Sequence, residues 1–231
     1  MNKILKLSAV ALLASSTSLM AQSKSFEGVS LGLSASVVGA EVSGNSASSS
    51  PGTRTSSGSI GKVAEIAAID LSYGHAVNNN FLIAIGASYT PGKAKAGTGT
   101  YTGDGTTGDA NGKLDLEIKD PYTIYIAPTY AVSKDAAIYA KLGYSKADVN
   151  VSATDSATLS KKPEDLEGIT YAIGSKTMLT PNLYLGIEAS LTDYDSISAT
   201  RAARTSPTRD AVNVSADAKV AQGTITLGYK F

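Results

Sequence analysis

The last ten residues, Gln222 to Phe231, read Q-G-T-I-T-L-G-Y-K-F and leave few folds open. Ile225, Leu227, Tyr229 and Phe231 share one face, and Gln222, Thr224, Thr226, Gly228 and Lys230 share the other. Alternation with period two marks a strand whose two faces meet different surroundings. Chain ends usually fray into water, so an aromatic terminus on an apolar face calls for a partner strand and an apolar exterior. A closed membrane barrel supplies both: the last strand pairs with the first, and its aromatics sit at the lipid interface.

The rest of the chain supplies seven more strands of this kind. The first runs from about Phe26 to Val42, the second from about Lys62 to Gly74, and the third from Phe81 to Tyr89. Strand four, Leu114 to Ala131, sets Leu114, Leu116, Ile118, Tyr122, Ile124, Ile126 and Tyr130 against Asp115, Glu117, Lys119, Thr123, Tyr125 and Thr129. Strands five, six and seven centre on Ile138–Tyr144, Ile169–Leu179 and Leu183–Leu191, and the eighth ends at Phe231. Asn78-Asn79-Asn80, Ser133-Lys134-Asp135 and Thr180-Pro181-Asn182 are short turns. Four long loops complete the pattern, about 43–60, rich in Ser, Gly and Thr, about 90–113, dominated by Gly, Thr and Asp, and about 147–166 and 195–215. Regular alternation of long and short connections, with both termini on the short-turn side, fits a transmembrane barrel with extracellular loops and periplasmic turns. The expected fold is therefore all-β: an eight-stranded antiparallel up-and-down transmembrane β-barrel with four long extracellular loops and three short periplasmic turns. A soluble carrier barrel, apolar inside, fits less well, because here charges share the face that would line the lumen.

Aromatic spacing acts as a ruler. Phe81 and Tyr89 lie eight residues apart on the outward face, as do Tyr122 and Tyr130, and eight tilted residues span roughly 19 Å of membrane. A lower girdle of Tyr73, Phe81, Tyr130, Tyr229 and Phe231 and an upper girdle of Tyr89, Tyr122, Tyr144 and Tyr171 follow. Asp120 would lie on the lipid side, tolerable only above the bilayer. Pro128 lacks a ladder donor in a sheet without edges, and a bulge is expected there.

Lys3 and Lys6 precede the apolar run Leu7–Leu13, and small residues lead to Ala21. This is the layout of a cleaved signal peptide, residues 1–21, followed by a barrel domain, residues 22–231. The run is too short for a spanning helix of about 20 residues. Of 20 basic residues, removal of Lys3 and Lys6 leaves 18 against 20 acidic, which offers nothing to a nucleic acid. Cysteine is absent, so neither a disulfide framework nor a thiolate site is available.

Several stretches resemble the small bacterial outer-membrane β-barrel family of OmpX-like and opacity-type proteins. They are Y-A-K-L-G-Y (Tyr139–Tyr144), G-I-T-Y-A-I-G (Gly168–Gly174), L-T-P-N-L-Y-L-G-I-E (Leu179–Glu188) and the final G-Y-K-F. The resemblance covers nearly all of the mature chain and implies an eight-stranded barrel in the outer membrane of a Gram-negative bacterium. It also implies that Gly228, Tyr229 and Phe231 belong to a C-terminal signal read by the outer-membrane assembly machinery. The family's members differ widely in role, and fold does not fix function.

Inside such a barrel Asp70, Lys141, Lys176 and Glu188 would lie at similar depths, forming either an ion path or a plug of paired charges. Eight-stranded lumens are about wide enough for side chains to fill, which favours the plug. His75, the sole histidine, stands at a periplasmic turn away from any nucleophile, so neither a hydrolase site nor a zinc site is expected. Asp104, Asp109, Asn111 and Asp115 offer oxygen ligands among glycines without the spacing of a calcium loop. Arg201, Arg204 and Arg209 could meet lipopolysaccharide phosphates or another anionic partner, or could be a solvated loop. No catalytic, metal or cofactor residues are expected. The expected role is a non-enzymatic surface protein whose loops serve adhesion, envelope integrity or contact with a host or cell-surface ligand. The alternative is a narrow channel for ions or small solutes.

Overall fold

The computed structural model describes residues 22–48, 58–101, 112–153, 159–161, 165–201, 204–205, 208–209 and 212–231. Eight antiparallel strands close into one up-and-down barrel. They are β1 (Gly28–Ser48), β2 (Gly58–Ala76), β3 (Phe81–Tyr89), β4 (Gly112–Ala131), β5 (Ala136–Ala153), β6 (Asp165–Met178), β7 (Leu183–Arg201) and β8 (Val212–Lys230). Closure is by β8 on β1, in register from Ser30 opposite Lys230 to Ser48 opposite Val212. The Phe231 N–H donates to the Val29 carbonyl at 2.9 Å, and the Asn182 side-chain amide donates to the Lys230 carbonyl at 2.8 Å. The aromatic end is thus fastened to both neighbouring strands. No helix among the described residues is long and apolar enough to cross a membrane; the strands do the crossing.

Alternation of side chains sorts the two faces. Leu33, Leu71, Ile85, Leu142, Ile173 and Ile225 point outward and are exposed, as an apolar medium outside the wall requires. Ser30, Ser36, Ser72, Thr129, Thr170 and Thr224 point inward and are buried. The outward aromatics oppose one another across strands: Phe81 faces Tyr130, and Tyr89 faces Tyr122. Tyr229 and Phe231 pack edge to face, with ring centroids 5.1 Å apart. Tyr73, Tyr144 and Tyr171 are also outward and exposed.

The structure corrects four expectations. Phe26 does not open the first strand. It ends a short 3-10 turn, Gln22–Phe26, that enters the barrel's lower mouth, where Phe26 is buried with Leu82, Ala131 and Ala137. Ser23 secures the turn through its N–H to the Asn79 carbonyl at 2.9 Å. The long loops are shorter than expected, because most strands continue well past the apolar alternation. The stretch 90–113 even contains a further strand, Lys93–Tyr101, which resumes β3 after a break at 90–92 and pairs with β4. Leu159–Lys161 pairs with the end of β7, and Arg204–Thr205 pairs with Thr208–Arg209.

The bulge is not at Pro128. Register against both neighbours is unbroken there, and Pro128 faces outward. The irregularity lies between Lys119 and Tyr122, at Asp120-Pro121, where Asp120 adopts a left-handed φ of 47°. One inserted residue exchanges the faces of everything beyond it. Ile118 therefore points inward, contrary to its even alternation with Tyr122, and packs on Ala147, Leu166, Tyr194 and Ala218.

Candidate functional site

The four charged residues of the lumen converge. Asp70 comes from β2, Lys141 from β5, Lys176 from β6 and Glu188 from β7, each on an inward position. The Lys141 Nζ lies 2.6 Å from Glu188 Oε2, with both side chains nearly enclosed, 11% and 13% exposed. The Tyr139 hydroxyl donates to the same Glu188 oxygen at 2.8 Å. The Tyr125 hydroxyl donates to Asp70 at 2.8 and 2.9 Å. Lys141 also stands over the Tyr125 ring, 4.1 Å from its centroid, so one cation is held by a carboxylate and a π face together. Lys176 lies 5.0 Å from the Tyr184 centroid and 5.9 Å from that of Tyr139. Buried charges persist when paired or hydrogen-bonded: Lys141 and Glu188 meet that condition together, Asp70 accepts from a tyrosine hydroxyl, and Lys176 rests against tyrosine rings.

Glycines make room for these tyrosines, a feature that sequence reading missed. Gly86 lies directly opposite Tyr125, Gly174 opposite Tyr139, and Gly228 opposite Tyr184. A Cβ on Gly86 would sit 2.6 Å from the Tyr125 ring, and one on Gly174 or Gly228 would collide with Tyr139 or Tyr184. Each ring thus lies flat across the neighbouring strand and fills the lumen. The signal available beforehand was an inward glycine one strand away from each inward tyrosine, legible only once register is known.

Above this layer a belt of hydroxyls crosses the wall. Thr123, Ser145, Thr170 and Thr192 are joined in series at 2.7, 2.5 and 2.7 Å. On the other side Ser34 meets Thr226 at 2.8 Å, and Ser36 meets Thr224 at 2.9 Å. A cavity of about 430 Å³ rests on the charged layer, and one of about 20 Å³ lies next to Phe26; Ala84, Thr129, Lys176 and Tyr184 line both.

Other candidate residues lie apart. His75 is exposed at the lower rim, its Nδ1 3.5 Å from a Glu27 carboxylate oxygen. Among the described residues no cluster of His, Asp or Glu could hold a metal. Asp104, Asp109 and Asn111 lie outside the described residues, as does the side chain of Asp115. Arg204 and Arg209 face each other across their short ladder and Arg201 ends β7, but their side chains lie outside the described residues too.

Residues 9–231 match the outer membrane protein β-barrel domain family. The chain belongs to that family. Membership places the barrel in a Gram-negative outer membrane, with lipid and lipopolysaccharide around it. OprG from Pseudomonas aeruginosa is similar over 89% of this chain and 96% of its own, at 14% identity and a TM-score of 0.56. The outer membrane protease OmpT of Escherichia coli is similar over 88% and 97%, at 11% identity and a TM-score of 0.53. At these identities the likeness concerns fold alone. Ail, the attachment invasion locus protein of Yersinia pestis, is similar over 89% and 99%, at 15% identity and a TM-score of 0.42. No curated protein matches the chain.

Proposed function

We propose that this is a non-enzymatic surface barrel: a rigid anchor that carries its outer rim beyond the lipopolysaccharide for adhesion, envelope integrity or contact with other cells. The observation that supports it is the layer of Asp70, Lys141, Lys176 and Glu188 with Tyr125, Tyr139 and Tyr184. Lys141 pairs with Glu188, Tyr139 and Tyr125 donate to Glu188 and Asp70, and a cavity of about 20 Å³ lies beneath them. In this reading the outward aromatics seat the barrel between the two lipid interfaces, and Gly228, Tyr229 and Phe231 present the final strand to the assembly machinery. Residues 1–21 are removed on export. Arg201, Arg204 and Arg209 lie on the rim, where an anionic partner would be met.

The test is conductance of the processed protein in a planar bilayer, wild type beside Glu188→Ala, with barrel formation checked by heat-modifiable gel mobility. A silent wild type is expected. Reproducible steps whose size or ion selectivity changes with Glu188→Ala would replace the plug by a narrow channel.

A further inference from the structure

The barrel wall has a gap on one side. β2 is paired with β1 from Gly74 opposite Gly28 up to Gly58 opposite Gly44. On its other side it is paired with β3 only from Ile69 to Ala76. Higher up, Lys93–Tyr101 pairs with β4 and with no other described strand, so residues 58–68 of β2 face it without a ladder.

The break that opens this gap is built. Pro91 has no N–H to offer β2, and Gly92 takes a φ of 104°. The Gly92 N–H donates to the Asp120 carboxylate at 2.8 Å, and the Asp120 N–H donates to the Gly92 carbonyl at 2.7 Å. The Thr90 N–H donates to the Pro121 carbonyl at 2.9 Å, and the Tyr89 hydroxyl reaches Asp120 at 3.3 Å. The break in β3 and the bulge in β4 are locked to each other, and neither is tied to β2.

The 430 Å³ cavity reaches this gap. Glu65 and Ala67 occupy outward positions of β2, yet they line the cavity together with Pro91, Gly92 and Lys93. In a continuous wall only their backbone could touch it. Next to the gap the lining includes the apolar Val38, Ala64, Ile66, Ile118, Tyr194 and Val220, while Gln222 and the hydroxyls of Thr123, Thr192 and Thr224 line the cavity beside them. On its floor Lys141 is paired with Glu188, and Asp70 accepts from Tyr125. The opening starts just above the Ile69–Tyr89 pair, the level of the upper outward tyrosines, so it faces the interface of the outer leaflet. The volume falls in the range of about 300–1,000 Å³ of small-molecule sites.

We infer that the upper cavity is a binding site for one acyl chain or a similar apolar tail, which enters sideways between Ala67 and Gly92. The polar end of such a molecule stays at the mouth beside Glu65 and Lys93, and the closed floor keeps the tail from passing to the periplasmic side. This goes beyond the anchor reading and stands without it.

The protein purified from outer membranes is placed in lipid nanodiscs and photolabelled in two arms. One uses a dodecanoic acid bearing a terminal diazirine, and the other a phosphatidylcholine bearing the same group on one chain. Saturable labelling of the segments holding Ile66, Ile118 or Tyr194 is expected in at least one arm, and the arm that labels identifies a free amphiphile or a bilayer lipid as the source. Ala67→Trp, which blocks the mouth from outside, and Ile118→Trp, which fills the cavity, are each expected to lower that labelling at least tenfold. Labelling of the lipid-facing segment around Leu142 stays unchanged. No cavity labelling in either arm, or cavity labelling unaffected by Ile118→Trp, would overturn the site. Cavity labelling lost in Ile118→Trp but intact in a folded Ala67→Trp would overturn the sideways entry.

Discussion

Below the Tyr89–Tyr122 pair the barrel is apolar outside and polar within; above it the two faces exchange character. In the lower part Leu71, Ile85, Ile124 and Leu142 face out, while hydroxyls, tyrosines and paired charges fill the lumen. In the upper part Lys93, Glu117, Lys119, Lys146, Glu167, Asp193 and Lys219 form outward ion pairs, and the inward face carries Ile118, Ala147, Leu166, Tyr194 and Val220. One set of strands runs through both regions with unbroken pairing over most of its length. The medium, not the backbone, decides which face is apolar: lipid below, water above.

The largest effect expected to test this contrast concerns the lower lumen. Glu188→Ala leaves Lys141 buried without its carboxylate and Tyr139 without its acceptor, which costs about 3–5 kcal/mol by the general behaviour of broken buried pairs. Lys219→Ala removes a pair with Asp193 whose side chains are 58% and 53% exposed, and there the loss is at most about 1 kcal/mol. Equilibrium urea unfolding in liposomes measures both, and equal losses would erase the distinction. Next, Leu166→Ala empties part of the upper core and costs about 2–5 kcal/mol. On the outside, Leu142→Arg puts a charge against lipid at about 2–4 kcal/mol. Lys146→Leu, two positions farther along the same outward face, is expected to cost far less than Leu142→Arg. A penalty for Lys146→Leu as large as that of Leu142→Arg would mean that the change of medium does not fall between them. Gly174→Ala follows, driving a methyl into Tyr139 and the Ile187 carbonyl for about 1–3 kcal/mol of overpacking, which Tyr139→Phe does not relieve and Tyr139→Ala relieves in part.

The same contrast explains what could be read from sequence. Wherever lipid imposes an apolar outward face, alternation located the strands, their number, the short turns and closure by β8. The upper halves of β1, β2 and β7 lack that signal, since stretches such as Ser43–Ser48 are small and polar on both faces while their backbone pairing continues. They looked like loops for that reason. The sequence marks Asp120 as out of place on the lipid side but carries no sign of the phase change at the bulge, so even alternation puts Ile118 on the wrong face. The inward charges were legible one by one as polar residues within apolar alternation. Their partners were not, because Gly86 meeting Tyr125 depends on register across strands far apart in sequence. The gap beside β2 left only Pro91-Gly92 as a trace, and a Pro-Gly pair in a stretch read as loop carries no message about a wall.

The smallest expected effect is acid sensitivity confined to the outer region. Hydrogen bonding from the Tyr144 hydroxyl and from Lys146 holds the Glu167 carboxyl below its ordinary range. The Gly92 N–H does the same for Asp120, with Lys119 and Tyr89 assisting. A carboxyl whose folded pKa is depressed stabilises the fold above its unfolded pKa, and that contribution is lost as pH falls through the folded value. Both groups are exposed, so the loss is modest and does not unfold the barrel. Lowering the pH below the carboxylate range is therefore expected to quicken amide exchange around Gly92 and Glu167 while exchange in the segment around Leu142 stays fixed. Asp120→Asn should remove the acid response at Gly92 and leave that at Glu167. Acid-induced exchange spread evenly over the lower strands would mean that the two regions do not unfold independently, and the lipid-set boundary between them would lose its energetic meaning.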